Sequence, residues 1–441
     1  MSRRKPDTPE IAMFPRVVPE HYQGSLKVAG EYRHTKFEPG KQYTYIVSSM
    51  RWRADSTRKK SGIAGTATAQ ADGSLSIPFS PDIHGEWIVT IDAEDGHRHL
   101  PAELGAFVMK KKYYELRPFI GELHCHSTGS DGREEPIYTA IRGRQLGYDF
   151  FALTDHRNYQ TSAEMVKKAG AFLGGSMLLM HGEEMHHEVS DDESDPARSH
   201  LYHFVAAGHR NSVRDLYLSG GDRTQAEVSA IIHELEVRDT IPGLDYRSCA
   251  DSIWKLRKAN ELGGMTIFCH PYWAWSLNID EVDREQTFLD AEFDAVEVFS
   301  TADPSNIMTN RYLSAVAAGA DYAAVGVSDG HRWGPGTTMR QCTFVLAEEL
   351  STEKIVDAVK NQRSIACEET QANDQIPRLV GPLEFIDFAE YYFLRILPLK
   401  RRIMAMGAEI GFSGLRGGAF SKELIDELDQ NLKELENDLW A

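Results

Sequence analysis

The chain has 441 residues, which is long enough for two or three domains with a substantial core. A composition of 41% hydrophobic and 26% charged residues is typical of a soluble globular protein. The formal charge of -18 argues against a general nucleic-acid binder, because that binding depends on Lys and Arg neutralising phosphates. No signal peptide is indicated, and no segment approaches the roughly 20 apolar residues that span a bilayer. The five scattered cysteines predict reduced thiols in a cytoplasmic protein.

Residues 1-117 are predicted to form an N-terminal arm followed by a small all-β domain. Residues 1 to about 20 are polar and interrupted by prolines, which is typical of an unpacked arm. From about residue 24 to 116, short β-rich runs alternate with Asp-Gly, Pro-Gly and Ser-Pro turns. Antiparallel strands at that spacing need two layers to bury their apolar faces, so we expect a sandwich-like domain.

Residues 118-370 repeat a pattern of apolar strand, polar loop and helix. We predict strands near 119-126, 149-154, 177-183, 201-206, 265-269, 294-299 and 322-327. Such alternation predicts a parallel sheet, and about seven units predict closure into a barrel whose chemistry lies at the C-terminal ends of the strands. The stretch 207-263 has helices of its own, which form either a lid or a helical side layer.

Residues 371-441 are predicted to form a C-terminal helical extension. Its last helix has a stripe of leucines, namely Leu424, Leu428, Leu432, Leu435 and Leu439. Packing within the chain is the simpler interpretation of this stripe. The alternative is that the C-terminal helices form the contact of a homo-oligomer.

Side chains that bind metals recur at the ends of the predicted strands. Alternate side chains of an extended strand share a face, so His124 and His126 converge on one point. Further clusters follow at Asp131, Asp155-His156, Glu183-Glu184, His200 with His203, His270, and Asp329 with His331. A set rich in imidazole and carboxylate, without paired cysteines, favours Zn, Mn or Fe over a structural thiolate site.

In order and spacing, these motifs resemble those of the PHP metallohydrolases, a family named after DNA polymerase and histidinol phosphatase domains. The matching motifs are His124-Cys-His, Ser130-Asp-Gly, Thr154-Asp-His, Gly182-Glu-Glu, His270-Pro and Ser328-Asp-Gly-His. Within the family, the chain looks most like the carbaryl hydrolase-like branch. The resemblance implies an α/β fold, a distorted seven-stranded (β/α) barrel, which here follows the small all-β sandwich-like domain.

The resemblance also implies two to three divalent metal ions in one cleft. Carried over by position, the first ion is held by His124, His126, Glu184 and Asp329; the second by Glu184 as a bridge with His203 and His270; the third by Asp131, His156 and His331. Glu183 and His200 stay open as alternatives to Glu184 and His203. The nearby His181, His186 and His187 are interpreted as surface residues or as residues outside the ligand set.

Two arginines and one aspartate beside the motifs are candidate catalytic residues. Arg157 and Arg332 each directly follow a ligand motif, so either guanidinium is a candidate to clamp a phosphate. The alternative is that each only offsets the acidic cluster. Asp155 is a candidate to orient a ligand or relay a proton, and Glu297 lies on a strand that resembles the Val-Glu-Val stretch of the family.

An aromatic run beside one ligand is the candidate substrate-binding segment. Tyr272, Trp273 and Trp275 follow His270-Pro and are candidates to stack on an aromatic or apolar part of a substrate. Core packing is the alternative for at least one of them.

The predicted function is that of a metal-dependent hydrolase that uses a metal-bound hydroxide on a small phosphoester. Phosphoester cleavage is preferred because it is the commonest activity of the families that this chain resembles. One alternative is hydrolysis of a carboxylic or carbamate ester, and one from another class is a non-catalytic metal-binding PHP module. The expected partner is a small-molecule substrate, with no nucleic acid and no membrane.

Overall fold

The structure is a computed structural model of the chain. It describes residues 7, 10–30, 37–50, 62–92, 102–186, 203–238, 244–270, 292–301, 307–334, 341–369 and 377–441.

Two β-sheets are formed by the N-terminal part of the chain. One contains β1 (Ile11–Phe14), β3 (Gly24–Gly30) and β6 (Ser74–Phe79), in the order β1-β3-β6. The other contains β2 (Val17–Pro19), β4 (Gln42–Ser49), β5 (Ile63–Thr68), β7 (Gly85–Asp92) and β8 (Ala102–Met109), in the order β2-β8-β7-β4-β5. Apolar side chains from both sheets, such as Val28 and Val89, share one buried cluster. The two layers expected from the strand spacing are therefore present.

The interpretation of residues 1 to about 20 as an unpacked arm is wrong for the part that the structure describes. β1 and β2 are both paired strands, and Met13, Val17 and Val18 have no exposed surface. Pro15 lies between these strands and Pro19 ends the second, where a missing N–H costs little ladder hydrogen bonding. Burial of the apolar residues between the prolines therefore decides the local structure.

Two further sheets contain the strands predicted for residues 118-370. The larger has β9 (Arg117–Glu122), β10 (Phe150–Ala152), β11 (Leu178–Met180), β17 (Gln341–Ala347), β18 (Ser364–Glu368) and β19 (Arg378–Val380), in the order β11-β10-β9-β17-β18-β19. The other has β12 (Gly182–Met185), β13 (Phe204–Ala207), β14 (Met265–Phe268), β15 (Ala295–Phe299) and β16 (Ala323–Gly326), adjacent in chain order. Each predicted strand is confirmed to within a few residues, and the one near 177-183 divides into β11 and β12.

These two sheets meet where their strands end. An isolated parallel bridge joins His156, after β10, to Glu184 on β12, and another joins Cys125, after β9, to Gly330, after β16. The result is a mixed α/β structure in which β12 to β16 follow one another as in half of a barrel.

The prediction of a parallel sheet is confirmed for some strand pairs, such as β9 with β10 and β14 with β15, and wrong for others. β13 runs antiparallel to both β12 and β14, and β17 runs antiparallel to β9. A short strand that is buried on both faces has the same apolar composition in either direction, so its hydrophobic pattern gives no orientation.

Helices cover the outer faces of these sheets. They are α1 (Pro136–Gln145), α2 (Tyr159–Leu173), α3 (Val213–Ser219), α4 (Asp222–Glu236), α5 (Tyr246–Glu261), α6 (Ile307–Ala317), α7 (Thr352–Lys360), α8 (Leu383–Tyr391), α9 (Leu397–Leu415) and α10 (Lys422–Leu439), with a π-helical turn at Tyr392–Ile396. Val228 of α4 and Ile253 of α5 share a buried cluster with Phe204 and Phe268 of the sheet. Of the two interpretations of residues 207-263, the packing favours the helical side layer. No helix among the described residues is long and apolar enough to cross a membrane.

Buried ion pairs join the C-terminal helices to the rest of the chain. Asp429 of α10 accepts from Arg144 of α1 at 2.6 Å and from the backbone N–H of Gly175 at 2.7 Å. Lys400 of α9 donates to Asp149 at 2.7 Å and lies 2.8 Å from Glu436. The C-terminal extension is thus packed against the preceding strands and helices through buried charged side chains.

The leucine stripe of α10 is only partly available to another molecule. Leu432 and Leu439 are buried within the chain, whereas Leu424 is 50% exposed. Packing therefore accounts for much of the stripe, and homo-oligomer formation through these helices stays a prediction.

We predict that Asp429→Asn lowers the free energy of unfolding by about 3 kcal/mol, because it leaves the Arg144 charge buried without its counter-charge. The matched control is Asp426→Asn on the same helix, whose partner Lys422 is more than half exposed. This change is expected to cost less than about 0.5 kcal/mol. Urea unfolding followed by circular dichroism measures both, and equal losses in the two variants would contradict the prediction.

Candidate metal centre

Imidazole and carboxylate side chains converge at one edge of the two joined sheets. His124 and His126 follow β9, His156 follows β10, Glu184 lies near the end of β12 and His270 follows β14. These positions are the C-terminal ends of strands, as the barrel prediction requires.

One histidine reaches this edge from the opposite direction. His203 comes directly before β13, and the register pairs Phe204 with Met185 on one side and with Phe268 on the other. Because β13 is antiparallel to both neighbours, its N-terminal end lies beside their C-terminal ends. His203 therefore joins the cluster from the start of its strand.

The Glu184 carboxylate lies at the centre of the cluster and has no exposed surface. Its two oxygens face different imidazoles. Oε2 lies 2.9 Å from His156 Nδ1, 3.1 Å from His126 Nε2 and 3.2 Å from His124 Nε2, while Oε1 lies 2.8 Å from His203 Nδ1 and 3.3 Å from His270 Nε2. Each oxygen thus has its own set of nitrogen atoms.

Asp329 completes the set that was predicted for the first ion. Its Oδ1 lies 3.2 Å from His126 Nε2 and 3.4 Å from His124 Nε2. The backbone N–H of Asp329 donates to the carbonyl of His124 at 2.9 Å, which fixes the two loops relative to each other.

The set that was predicted for the third ion forms the more exposed edge of the cluster. Asp131 Oδ2 lies 3.3 Å from His331 Nε2 and 3.5 Å from His156 Nε2. The side chains of Asp131 and His331 are 55% and 38% exposed, unlike the buried His124. Among the described residues of the cluster, Asp131 and His331 are therefore the ones with the largest solvent-exposed fractions.

The donor atoms fit divalent cations in spacing and in chemistry. Four groups of three or four side chains each have donor atoms that all lie within 4.8 Å of one another. Their members are residues named above together with His186 and Cys269. Ligands about 2.1 Å from a tetrahedral Zn lie roughly 3.4 Å apart, close to several of these separations. Oxygen and imidazole nitrogen donors suit Zn, Mn and Fe.

Charges within the cluster compensate one another. Burial works to lower the pKa of His126, but the carboxylates of Asp329 and Glu184 outweigh it and raise that pKa to about 9. Burial likewise works to raise the pKa of Asp329, but His124 and His270 hold it well below its usual range. Burial lowers the pKa of His203 to about 4, so this imidazole is neutral and ready to coordinate.

Two buried carboxylates, Glu297 and Asp155, hold the histidines of the cluster and their loops in place. Glu297 Oε1 lies 2.5 Å from His124 Nδ1, and its Oε2 accepts from the backbone N–H of His270 at 3.0 Å. A carboxylate on the far nitrogen of a coordinating histidine fixes its tautomer and ring orientation. Asp155 accepts from the backbone N–H of Ser127 at 2.7 Å and from Ser130 Oγ at 2.7 Å, so it holds the loop after His126.

Glu122 is a supporting residue that the sequence analysis missed. It accepts from the backbone N–H groups of His124 and Ser328, and burial raises its pKa to about 7. The signal was present in the sequence, because Glu122 precedes His124 by two positions and therefore shares its face of the strand.

The geometry bears on both open alternatives. Glu183 points away from the cluster and accepts from Val213 N–H at 2.6 Å, from His209 at 3.1 Å and from Ser212 at 3.1 Å. This arrangement favours Glu184 as the ligand. His203 lies in the cluster, whereas His200 is outside the described residues.

The remaining candidates are the two arginines and the aromatic residues of the predicted substrate-binding segment. Arg157 is half-buried beside the cluster, and its backbone N–H donates to the carbonyl of Glu184 at 2.8 Å. Arg332 is exposed next to His331. The aromatic candidates lie outside the described residues: Tyr272, Trp273 and Trp275.

We predict that Glu184→Gln weakens zinc binding by about 100-fold or more, because it removes the charge that faces both imidazole sets. The matched control is Glu183→Gln, which should keep zinc binding but lose about 1 to 3 kcal/mol of stability through its buried hydrogen bonds. Elemental analysis and zinc titration of metal-free protein measure the binding. Loss of zinc in Glu183→Gln with retention in Glu184→Gln would reverse the assignment.

Comparisons with known proteins give partial matches. No family model matches the chain. A stretch of 165 residues is 30% identical to the error-prone DNA polymerase of Cutibacterium acnes, covering 33% of this chain and 14% of that protein. The chain therefore matches about one-seventh of the length of this relative.

Two solved structures are similar to the chain at low identity. One is a two-domain protein from Bacteroides vulgatus that contains a predicted PHP-like metal-dependent phosphoesterase, with 18% identity and a TM-score of 0.38, covering 60% of this chain and 75% of that one. Another is an amidohydrolase from Chromobacterium violaceum, with 19% identity and a TM-score of 0.33, covering 49% and 88%. The carbaryl hydrolase-like branch stays a prediction. Over part of its length, the chain is similar to a protein that contains a predicted PHP-like metal-dependent phosphoesterase.

Proposed function

We propose that this protein is a metal-dependent hydrolase that acts on a small phosphoester. The observation that carries the proposal is the division of the Glu184 oxygens between the imidazoles proposed for two different ions, Oε2 with His124 and His126, and Oε1 with His203 and His270. A carboxylate in this arrangement is suited to bridge two cations. Paired or triple divalent ions lower the pKa of a bound water and neutralise charge on a reacting phosphoryl group.

The proposed ligand set is the one that the resemblance implies, for two to three Zn, Mn or Fe ions. His124, His126, Glu184 and Asp329 hold one ion, Glu184, His203 and His270 a second, and Asp131, His156 and His331 a third. The buried Glu297 and Asp155 keep these side chains and their loops in place, because both accept hydrogen bonds from the segments that carry them. Each of these positions has a side chain able to coordinate, which argues against a degenerate, non-catalytic module.

The substrate is proposed to enter at the exposed edge formed by Asp131 and His331. Arg332 is exposed beside this edge, and Arg157 lies next to His156. A guanidinium there can hold two phosphate oxygens through paired hydrogen bonds. The chain itself thus supplies the charge that favours a phosphoester over a neutral ester.

The finer architecture belongs to the same proposal. We take residues 118-370 as a seven-stranded barrel, residues 1-117 as a preceding domain and residues 371-441 as an extension. The two isolated bridges support closure of the barrel, since each joins a strand end of one sheet to the other sheet. The five buried free thiols agree with the predicted cytoplasmic location.

We predict that protein loaded with Mn or Zn hydrolyses a nitrophenyl phosphate or a bis-nitrophenyl phosphate faster than a naphthyl carbamate. Asp329→Asn, which removes a proposed ligand, should abolish this turnover. Spectrophotometric assays of the three substrates measure it. Turnover of the carbamate alone would support the ester hydrolase alternative, and inactivity on all substrates despite full metal loading would support the non-catalytic module.

We also predict that Arg332→Gln raises KM for the phosphoester about tenfold with a smaller change in kcat, because one charge-assisted hydrogen bond contributes about 1.5 kcal/mol. Arg210→Gln is the control, since Arg210 is exposed beyond the far end of the antiparallel strand β13. Steady-state kinetics of both variants decide the point. An unchanged KM in Arg332→Gln would leave charge compensation as the role of Arg332.

A further inference from the structure

His186 contacts two of the proposed metal ligands but belongs to none of the three proposed ligand sets. It is buried, at 8% exposure, directly after β12. Its Nε2 lies 2.6 Å from His156 Nδ1, and its ring is stacked on the ring of His203 at a centroid distance of 4.0 Å and an interplanar angle of 14°. One side chain therefore contacts two histidines of the centre.

The surroundings of His156 indicate that its contact with His186 can fix the orientation of the His156 ring. Nε2 of His156 faces Asp131 at 3.5 Å, while Nδ1 faces both Glu184 Oε2 at 2.9 Å and His186 Nε2. A histidine that coordinates through one ring nitrogen keeps a proton on the other and donates it to a neighbour. If His156 Nε2 and Asp131 held one ion and Glu184 were shared between ions, as in the proposed ligand set, His186 would be the acceptor left for Nδ1–H.

A buried lysine fixes His186 from the opposite side. Lys255 of α5 has no exposed surface, and its Nζ donates to the backbone carbonyl of His186 at 2.8 Å. The ammonium lies 3.3 Å from Asp251 Oδ2 and 4.7 Å from the ring centroid of Tyr217 on α3. An ammonium is buried at such a site only where counter-charge and hydrogen bonds compensate its lost hydration.

We propose that Lys255 and His186 form a positioning pair that sets the ring orientations of His156 and His203, and so the affinity of the centre for divalent cations. The inference rests on the metal centre of the proposed function, and it extends that centre into the helical side layer. α3 and α5 then support the site through one ammonium, although neither helix supplies a ligand.

The test compares zinc binding by two variants of the full chain. His186→Phe keeps a ring to stack on His203 but removes both nitrogens, and Lys255→Met keeps the apolar stem but removes the ammonium. Metal-free protein is titrated with zinc against a chromophoric chelator, and elemental analysis gives the number of ions at saturation. Both variants should bind at least one ion about 10- to 100-fold more weakly, with the number at saturation unchanged.

Coupling between the two residues is measured by the double variant. If they act as one pair, the double variant should bind zinc no more weakly than the weaker single variant. Lys258→Met is the matched control: Lys258 lies on the same helix and pairs with the exposed Glu261 at 2.5 Å, so wild-type zinc affinity is expected.

Several outcomes would overturn the proposal. Unchanged affinity in His186→Phe would leave His186 a packing residue, and loss of a whole zinc equivalent at saturation would make it a ligand. If Lys255→Met does not fold, His186→Phe decides alone. Failure of the wild-type chain to bind zinc would instead refute the metal centre itself, which separates the failure of the proposed function from the failure of this inference.

Discussion

A carboxylate buried among imidazoles is the interaction on which the rest of this structure depends. Glu184 has no exposed surface, and an isolated carboxylate in such a place would cost several kcal/mol. Its charge is stabilised only if positive charge, from protonated histidines or from cations, is brought to both of its oxygens. The nitrogens that do so follow β9, β10 and β14 or precede β13, so the sheets must first bring distant segments to one edge.

The strands that meet this requirement differ in direction. β9, β10 and β14 deliver their histidines from C-terminal ends, whereas the antiparallel β13 delivers His203 from its start. Behind the histidines, Glu297 accepts hydrogen bonds from His124 after β9 and from His270 after β14, and Glu122 accepts from His124 and from Ser328 after β16. Buried carboxylates therefore serve two purposes: Glu184 faces the histidine nitrogens, and the others fix the loops that surround it.

Packing outside the centre uses the same physical rule. Arg144 with Asp429, and Lys400 with Asp149, are charges that lie out of water and retain their partners. Removing one partner of such a pair is far more costly than removing an exposed one, so these contacts restrict how the C-terminal helices can sit. Lys255, next to the centre, is likewise a buried charge that keeps its partners: its ammonium lies 3.3 Å from Asp251 and donates to the carbonyl of His186.

Much of the fold and of the candidate site followed from the sequence because the relevant signals are local. Apolar runs marked each strand to within a few residues, and period-two spacing placed His124 with His126 on one face. The same spacing would also have identified Glu122, which lies two positions before His124. Local pattern failed for residues 10–20, where burial of Met13 and Val17 outweighed the flanking prolines.

The sequence by itself determined which side chains are available for metal chemistry and where the strands lie, since both depend on residues close together in the chain. Only the tertiary structure decided the direction of β13, the position of Glu184 among the histidines with Glu183 turned away from them, and the contact of Lys255 with His186 across 69 positions. Each of these depends on which distant segment packs against a given face. That choice is made by long-range burial and charge compensation, which no short stretch of sequence contains.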